Sequence, residues 1–166
     1  CSLVGSEMCI RDSLDTIEED DEQFTIGAMV TLRQLETHAG INAYTHDAMK
    51  HSVEHIIGVQ FRNCATVGGS IFGRYGFSDV LSMFMGLDAY VELYDGGIVP
   101  MREFAWMRPS LDILVRVIVK KTPIKVCYKS QRNVSTDFPV LTCCASYMND
   151  TYSCLLYTSP SPRDCS

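Results

Sequence analysis

The sequence predicts an α+β fold, and three observations point there. Stretches such as Tyr90-Val91-Glu92-Leu93-Tyr94 and Ile113 to Lys120 alternate with the period of two that marks a strand. Other stretches carry helix start signals followed by apolar residues three and four apart. The two kinds follow one another irregularly along the chain, and that irregularity selects α+β.

In chain order, Phe24-Thr25-Ile26-Gly27-Ala28 reads as a short strand. Thr31-Leu32-Arg33-Gln34 has the form of a capping box, with Thr31 as N-cap and Gln34 at the third helical position, so a helix is expected to begin there. Gly40 is placed to stop it. A second helix is expected from about Asp47 to Ile57, presenting Met49, Val53, Ile56 and Ile57 to a core. A third starts at Ser78-Asp79, because Val80, Phe84 and Leu87 recur at helical spacing. Tyr90 to Tyr94, a turn at Asp95-Gly96-Gly97 and Ile98-Val99 form a hairpin pattern. Arg102-Glu103-Phe104 and Met107-Arg108-Pro109 read as connecting structure. Ile113, Val115, Val117 and Val119 alternate with Leu114, Arg116, Ile118 and Lys120 as another strand. Lys120-Lys121-Thr122-Pro123 marks a boundary, with further sheet expected at Ile124 to Tyr128 and Val140 to Ser146.

The two ends stand apart. CSLVGSEMCIRDS and SCLLYTSPSPRDCS have no helical or strand period, and both resemble peptides translated from sequencing-adapter DNA. Residues 1–13 and 154–166 are therefore expected to be non-native and are excluded from fold reasoning. The remainder, about 140 residues, suits one domain, or one domain and part of another. It keeps 12 basic and 17 acidic residues, a net charge of −5. A mildly acidic chain without a basic stripe argues against nucleic-acid binding. The run Glu18-Glu19-Asp20-Asp21-Glu22 reads as a solvated loop. Of eight cysteines, Cys64, Cys127, Cys143 and Cys144 lie outside the suspect ends. None stands in a C-x-x-C pair, so buried thiols in a reducing cytoplasm are expected rather than a metal site. His51 and His55 are one helical turn apart near His46, yet no third ligand accompanies them, and an exposed helix face is the expectation. No apolar run is long enough to span a membrane; the longest, near Ile113 to Val119, is broken by Arg116.

The segment NCATVGGSIFGRYGFSD, residues 63–79, is the chemical centre of the sequence. Gly68 and Gly73 have the outer spacing of a P-loop, but Arg74-Tyr75 stands where Lys and Ser or Thr are required. The G-x-G-x-x-G fingerprint is absent as well. Two readings of the residues remain open. One is a tight turn at Gly68-Gly69, with Asp79 near a helix N-terminus where the dipole favours a carboxylate. The other is a phosphate cradle in which Thr66 to Ser70 offer main-chain N–H groups and small hydroxyls to a diphosphate, while Asp79 accepts from a hydroxyl of the same ligand.

The longer run GVQFRNCATVGGSIFGRYGFSDVL resembles the second FAD-binding motif of the flavoprotein subunit of molybdenum hydroxylases, the xanthine dehydrogenase family. There an R-N-x-A-T-V-G-G-[NS]-I segment is followed nine residues later by S-D, a spacing that Ser70 and Asp79 keep. FTIGAMVTL, LDAYVELY and YKSQRNVSTDFPVLT extend the resemblance. It implies the second lobe of a two-lobed FAD-binding domain over residues 14–122, followed by the start of a smaller α/β C-terminal domain over 123–153. It also implies non-covalent FAD, with Ala65, Thr66, Gly68, Gly69 and Ser70 lining the phosphate region, Gly73, Ser78 and Asp79 following the ligand further, Leu114 or Val115 near a ring, and Lys129 approaching the ring system. The first lobe and most of the C-terminal domain have no counterpart in this sequence.

No catalytic triad or acid–base pair is present, in keeping with a role in which a flavin supplies the redox chemistry. The resemblance implies a cytoplasmic oxidoreductase subunit. Electrons would come from a purine-like substrate at a molybdenum-cofactor subunit, through an iron–sulfur subunit, to FAD and then to NAD or another acceptor. The expected alternative is an assembly module of the same fold that has lost its flavin.

Overall fold

The computed structural model describes residues 14–108 and 111–158. Expectations for residues 1–13 and 159–166 lie outside them. In chain order the elements are β1 (Ile17–Glu19), β2 (Gln23–Gly27), α1 (Leu32–Thr37), α2 (Ala39–Tyr44), α3 (Ala48–Val53), α4 (Val59–Cys64), α5 (Val67–Phe72), α6 (Asp79–Met85), β3 (Ala89–Leu93), β4 (Gly97–Pro100), α7 (Met101–Trp106), β5 (Leu114–Lys120), β6 (Ile124–Gln131), β7 (Leu141–Met148) and β8 (Thr151–Thr158).

Two antiparallel sheets result, one ordered β1-β2-β5-β3-β4 and one ordered β6-β7-β8. With helices packed on them, the class is α+β. The chain passes from the first sheet to the second at residues 121–123. Helix α6 packs against helices α3, α5 and α7 and against β7 and β8 of the second sheet, and all seven of its residues are buried. A helix whose residues are buried on every side, Asp79 and Ser82 included, is enclosed on every side. Its Val80, Met83, Phe84 and Met85 join Phe24, Ile26, Met49, Val91 and Val117 in one core. Each such side chain, fully buried, contributes about 1.5–3 kcal/mol.

The capping box at Thr31 forms as the sequence predicts: the Gln34 amide donates to Thr31 Oγ1 at 3.2 Å, and the Thr31 amide donates to Gln34 Oε1 at 2.7 Å. Gly40 does not stop that helix. His38 ends α1 and caps α2 at once, its Nδ1 accepting from the Ile41 amide at 3.2 Å, and Gly40 sits inside α2. The helix expected to reach Ile57 ends at Val53, and Ile57 takes a positive φ of 51° with its side chain exposed. Arg102 to Phe104 are not connecting structure but part of α7, which buries Met101 and Phe104.

The strand at Leu114 to Lys120 carries a β-bulge. Glu92 pairs with Arg116 while Leu93 pairs with Leu114, so Val115 is the extra residue. The bulge puts Leu114 on the buried side together with Val117 and Val119, against simple alternation, and Ile113 falls outside the strand and is exposed.

The closing segment also differs from expectation as far as residue 158. Ser153, Leu155 and Tyr157 are half-buried and alternate with exposed Cys154, Leu156 and Thr158, a period of two that pairs β8 with β7 along its length. Of the thiols expected to be buried, only Cys144 is; Cys64 and Cys127 are exposed and Cys143 is half-buried, and all are free. His51 and His55 both reach Glu54 on an exposed surface, and among the described residues no group of three His, Cys, Asp or Glu side chains gathers as a metal site. No helix among the described residues is long and apolar enough to cross a membrane.

Candidate functional site

The glycine stretch is not a tight turn. Thr66 acts as N-cap of α5, its hydroxyl accepting from the Gly69 amide at 3.2 Å. Gly68 is fixed by close approach: a Cβ there would lie 2.8 Å from the Ala28 carbonyl oxygen, to which the Gly68 amide donates at 2.9 Å. Its neighbours are committed too. Val67 N donates to Val30 O, and Ser70 N donates to Thr66 O. Each of the four amides from Val67 to Ser70 therefore already has a partner within the chain, so the segment offers a ligand hydroxyls and a bare surface at exposed Gly69 rather than a row of free N–H groups.

That surface is one wall of a cavity of about 410 Å³, within the range of small-molecule sites. Ala65, Thr66, Gly69 and Ser70 meet Ser78, Asp79 and Val80 at the start of α6. The two segments are tied together by the Ser78 hydroxyl, which donates to the Ser70 carbonyl at 2.9 Å and accepts from the Leu81 amide as N-cap of α6. Leu32, Ile56, Ile57 and Phe61 form an apolar side. Tyr75, Phe77 and Phe138 form an aromatic one, with Tyr75 stacked on Phe77 at 5.1 Å and Phe77 edge-on to Phe138 at 4.9 Å. Arg132, Thr136 and Asp137, from the loop after β6, complete the rim.

Asp79 is buried and doubly engaged. The Tyr128 hydroxyl donates to its Oδ1, and Arg132 Nη2 lies 2.8 Å from its Oδ2. Burial, and then the adjacent Asp79 carboxylate, push the Tyr128 phenol well above its ordinary pKa, so it remains a donor.

Six of the residues named from the sequence thus meet at the cavity: Ala65, Thr66, Gly69, Ser70, Ser78 and Asp79. Five do not. Gly68 packs on Ala28; Gly73 makes room for the Tyr75 ring, which a Cβ would approach to 2.4 Å; Leu114 is buried in the core; Val115 is held at the bulge, its carbonyl accepting from Ala28; and Lys129 is exposed on β6. Sequence reasoning missed Tyr128, Arg132 and the aromatic wall. The alternation of β6 carried part of the signal, because Tyr128 and Lys129 must face opposite ways.

Residues 11–121 match the family described as the FAD binding domain in molybdopterin dehydrogenase. The chain belongs to that family. FAD is the cofactor of this domain, and the cavity suits it: apolar and aromatic walls for a planar ring, with hydroxyls beside them. The FAD domain is similar in fold to quinoline 2-oxidoreductase from Pseudomonas putida 86, at a TM-score of 0.73 and 18% identity, covering 81% of this chain and 50% of that one. It is similar also to the carbon monoxide dehydrogenases of Hydrogenophaga pseudoflava, at 0.75 and 20%, covering 88% and 56%, and of Oligotropha carboxidovorans, at 0.75 and 20%, covering 87% and 56%. The chain spans about half the length of these solved chains. No curated protein sequence matches it.

Proposed function

We propose that the intact protein is the FAD-binding electron-transfer subunit of a xanthine dehydrogenase-like molybdenum hydroxylase. In this reading it receives electrons from an iron–sulfur subunit, supplied in turn by a molybdenum-cofactor subunit acting on a purine-like heterocycle, and passes them to NAD or another acceptor. The family match over residues 11–121 carries the reading. A cavity whose polar wall is the motif run from Ala65 to Asp79 supports it.

Bound there, FAD supplies the redox chemistry, taking up and releasing electrons at its ring. The chain's own residues bind and orient. Thr66, Ser70 and Ser78 offer hydroxyls to the polar part of the ligand, and Gly69 leaves space for it. Tyr75, Phe77 and Phe138 give a face on which a planar ring can stack, and Ile56, Ile57 and Phe61 keep water from the opposite side. The change of sheet at residues 121–123 supports a domain boundary there, with a FAD-binding lobe before it and the start of a C-terminal domain after it. The free thiols are in keeping with a reducing, cytoplasmic location.

Flavin content of the full-length protein, isolated with its native partners, tests the proposal. It is expected to be yellow, and Gly69→Leu is expected to lose most of the flavin while the complex still assembles. Colourless wild-type protein in an intact complex contradicts it and favours an assembly module without flavin.

A further inference from the structure

Arg74 follows α5 and takes a positive φ of 51°, in the left-handed region that an arginine seldom occupies. Its surroundings explain why it stays there. Its amide donates to the Ile71 carbonyl at 3.0 Å, closing the turn after the helix. Its guanidinium lies on the face of Phe104, with Cζ 4.2 Å from that ring's centroid and 5.7 Å from the centroid of Phe72. Nη1 donates to the Met107 carbonyl at 3.0 Å. Nε and Nη2 have no hydrogen-bond partner among the described residues, so aromatic faces rather than further acceptors hold this cation. Phe104 is wholly buried on α7, which makes it a fixed platform.

The next residue serves the cavity. Arg74 stands behind the wall, whereas Tyr75 and Phe77 are part of it. Tyr75 is 58% exposed; its ring lies over Gly73, where a Cβ would collide with it, and it stacks on Phe77 with the two planes 15° apart. At the far end of the turn the Ser78 amide donates to the Tyr75 carbonyl at 3.0 Å, and the Ser78 hydroxyl is bonded to Ser70. The aromatic wall therefore hangs between two anchors, Arg74 on Phe104 and Ser78 on α5. An unfavourable φ persists where the surroundings over-determine it. Released from Phe104 and Met107, residue 74 would relax toward negative φ and carry Tyr75 out of register with Phe77.

We infer that Arg74 is a positioning residue for the cavity: stacked on Phe104 and bonded to Met107, it holds the turn that presents the Tyr75–Phe77 stack to the flavin ring. The inference rests on the reading that the cavity takes FAD.

The test uses the full-length protein in its complex, stripped of flavin and titrated with FAD, with the visible circular dichroism and the fluorescence of the bound flavin read at saturation. Both signals depend on how aromatic rings lie against the flavin. Arg74→Met is expected to weaken FAD binding roughly 3- to 10-fold, to change the dichroism and to raise the fluorescence. Arg74→Lys, which keeps a cation over Phe104, is expected to restore part of each. Val91→Ala, a substitution in the buried core, controls for lost stability and is expected to keep the wild-type spectra. If Arg74→Met does not fold, as its melting without ligand would reveal, Arg74→Gly decides, because glycine takes a positive φ freely: altered flavin spectra support the inference, and wild-type spectra overturn it. Wild-type affinity and spectra in folded Arg74→Met overturn it. Weaker binding with wild-type spectra also overturns it, by placing the stack away from the flavin ring. Equal spectral changes in Arg74→Met and Val91→Ala overturn it as well, by leaving stability as the cause. Wild-type protein that binds no FAD overturns the reading of the cavity, and the inference with it.

Discussion

Arg62 and Glu36, 26 residues apart in sequence, form a buried ion pair with Nε donating to Oε2 at 2.9 Å. The same guanidinium donates through Nη1 to the carbonyls of Glu54 at 3.0 Å and Ile56 at 3.2 Å. Arg62 is the arginine that opens the R-N-x-A-T part of the motif, and here it anchors the 54–57 segment that carries Ile56 and Ile57 to the cavity.

Removing one partner of a buried pair leaves the other charge uncompensated, which typically costs about 3–5 kcal/mol. Arg62→Met is therefore expected to lower the unfolding free energy by that order in a urea titration. A loss below about 1 kcal/mol would show the pair to be dispensable.

Glu36 also receives Arg33, at 2.9 Å. Burial pushes its carboxyl up, but hydrogen bonds and charge from Arg33 and Arg62 outweigh burial and hold it below the usual carboxylate range. A folded-state value below the unfolded one means that the stabilisation is fully present above the unfolded value, about 4.3, and is lost as pH falls through the folded value. Wild-type protein should lose more stability between pH 6 and pH 3 than Glu36→Gln, measured by urea unfolding at each pH. Equal losses would remove Glu36 from the account.

The two central glycines should respond differently. At Gly68 a methyl group meets backbone oxygen and the Ala28 Cβ at 2.8 and 2.9 Å, and neither yields easily, so Gly68→Ala should cost about 1–3 kcal/mol. At Gly69 the nearest atom is the Thr66 hydroxyl at 3.1 Å, and the helix gains a better former. Gly69→Ala should change stability by less than about 1 kcal/mol. Thermal melts of both variants check the contrast, and a Gly69→Ala protein as unstable as Gly68→Ala contradicts it.

Thiol reactivity gives a further check. Burial pushes the Cys144 thiol up to about 12, and its side chain is enclosed, whereas Cys64 and Cys127 are exposed. A thiolate reagent at neutral pH should label Cys64 and Cys127 in folded protein and reach Cys144 only after unfolding. Peptide mapping that finds Cys144 labelled early would contradict the packing of β7 on α6.

What was legible in the sequence was what is local. The capping box at Thr31, the apolar spacing of Val80 and Phe84 and the hairpin turn through Asp95-Gly96 each act within a few residues, and each forms where expected, with Gly97 opening β4. Helix α5 was hidden because two glycines lower its intrinsic propensity, and its first turn is held instead by bonds to Ala28 and Val30, some 40 residues earlier. The bulge at Val115 inverted a strand parity that alternation alone cannot reveal. Half of the cavity was legible, since Thr66, Ser70 and Asp79 lie in one motif. Arg132 was not, because only tertiary structure brings it to Asp79, 53 residues away.

The most direct test is a crystal structure of the full-length protein with FAD. The predicted result is FAD density in the cavity, with Thr66, Gly69 and Ser70 on one side and Tyr75, Phe77 and Phe138 on the other. Density elsewhere, with this space filled by the protein's own side chains, would contradict the account.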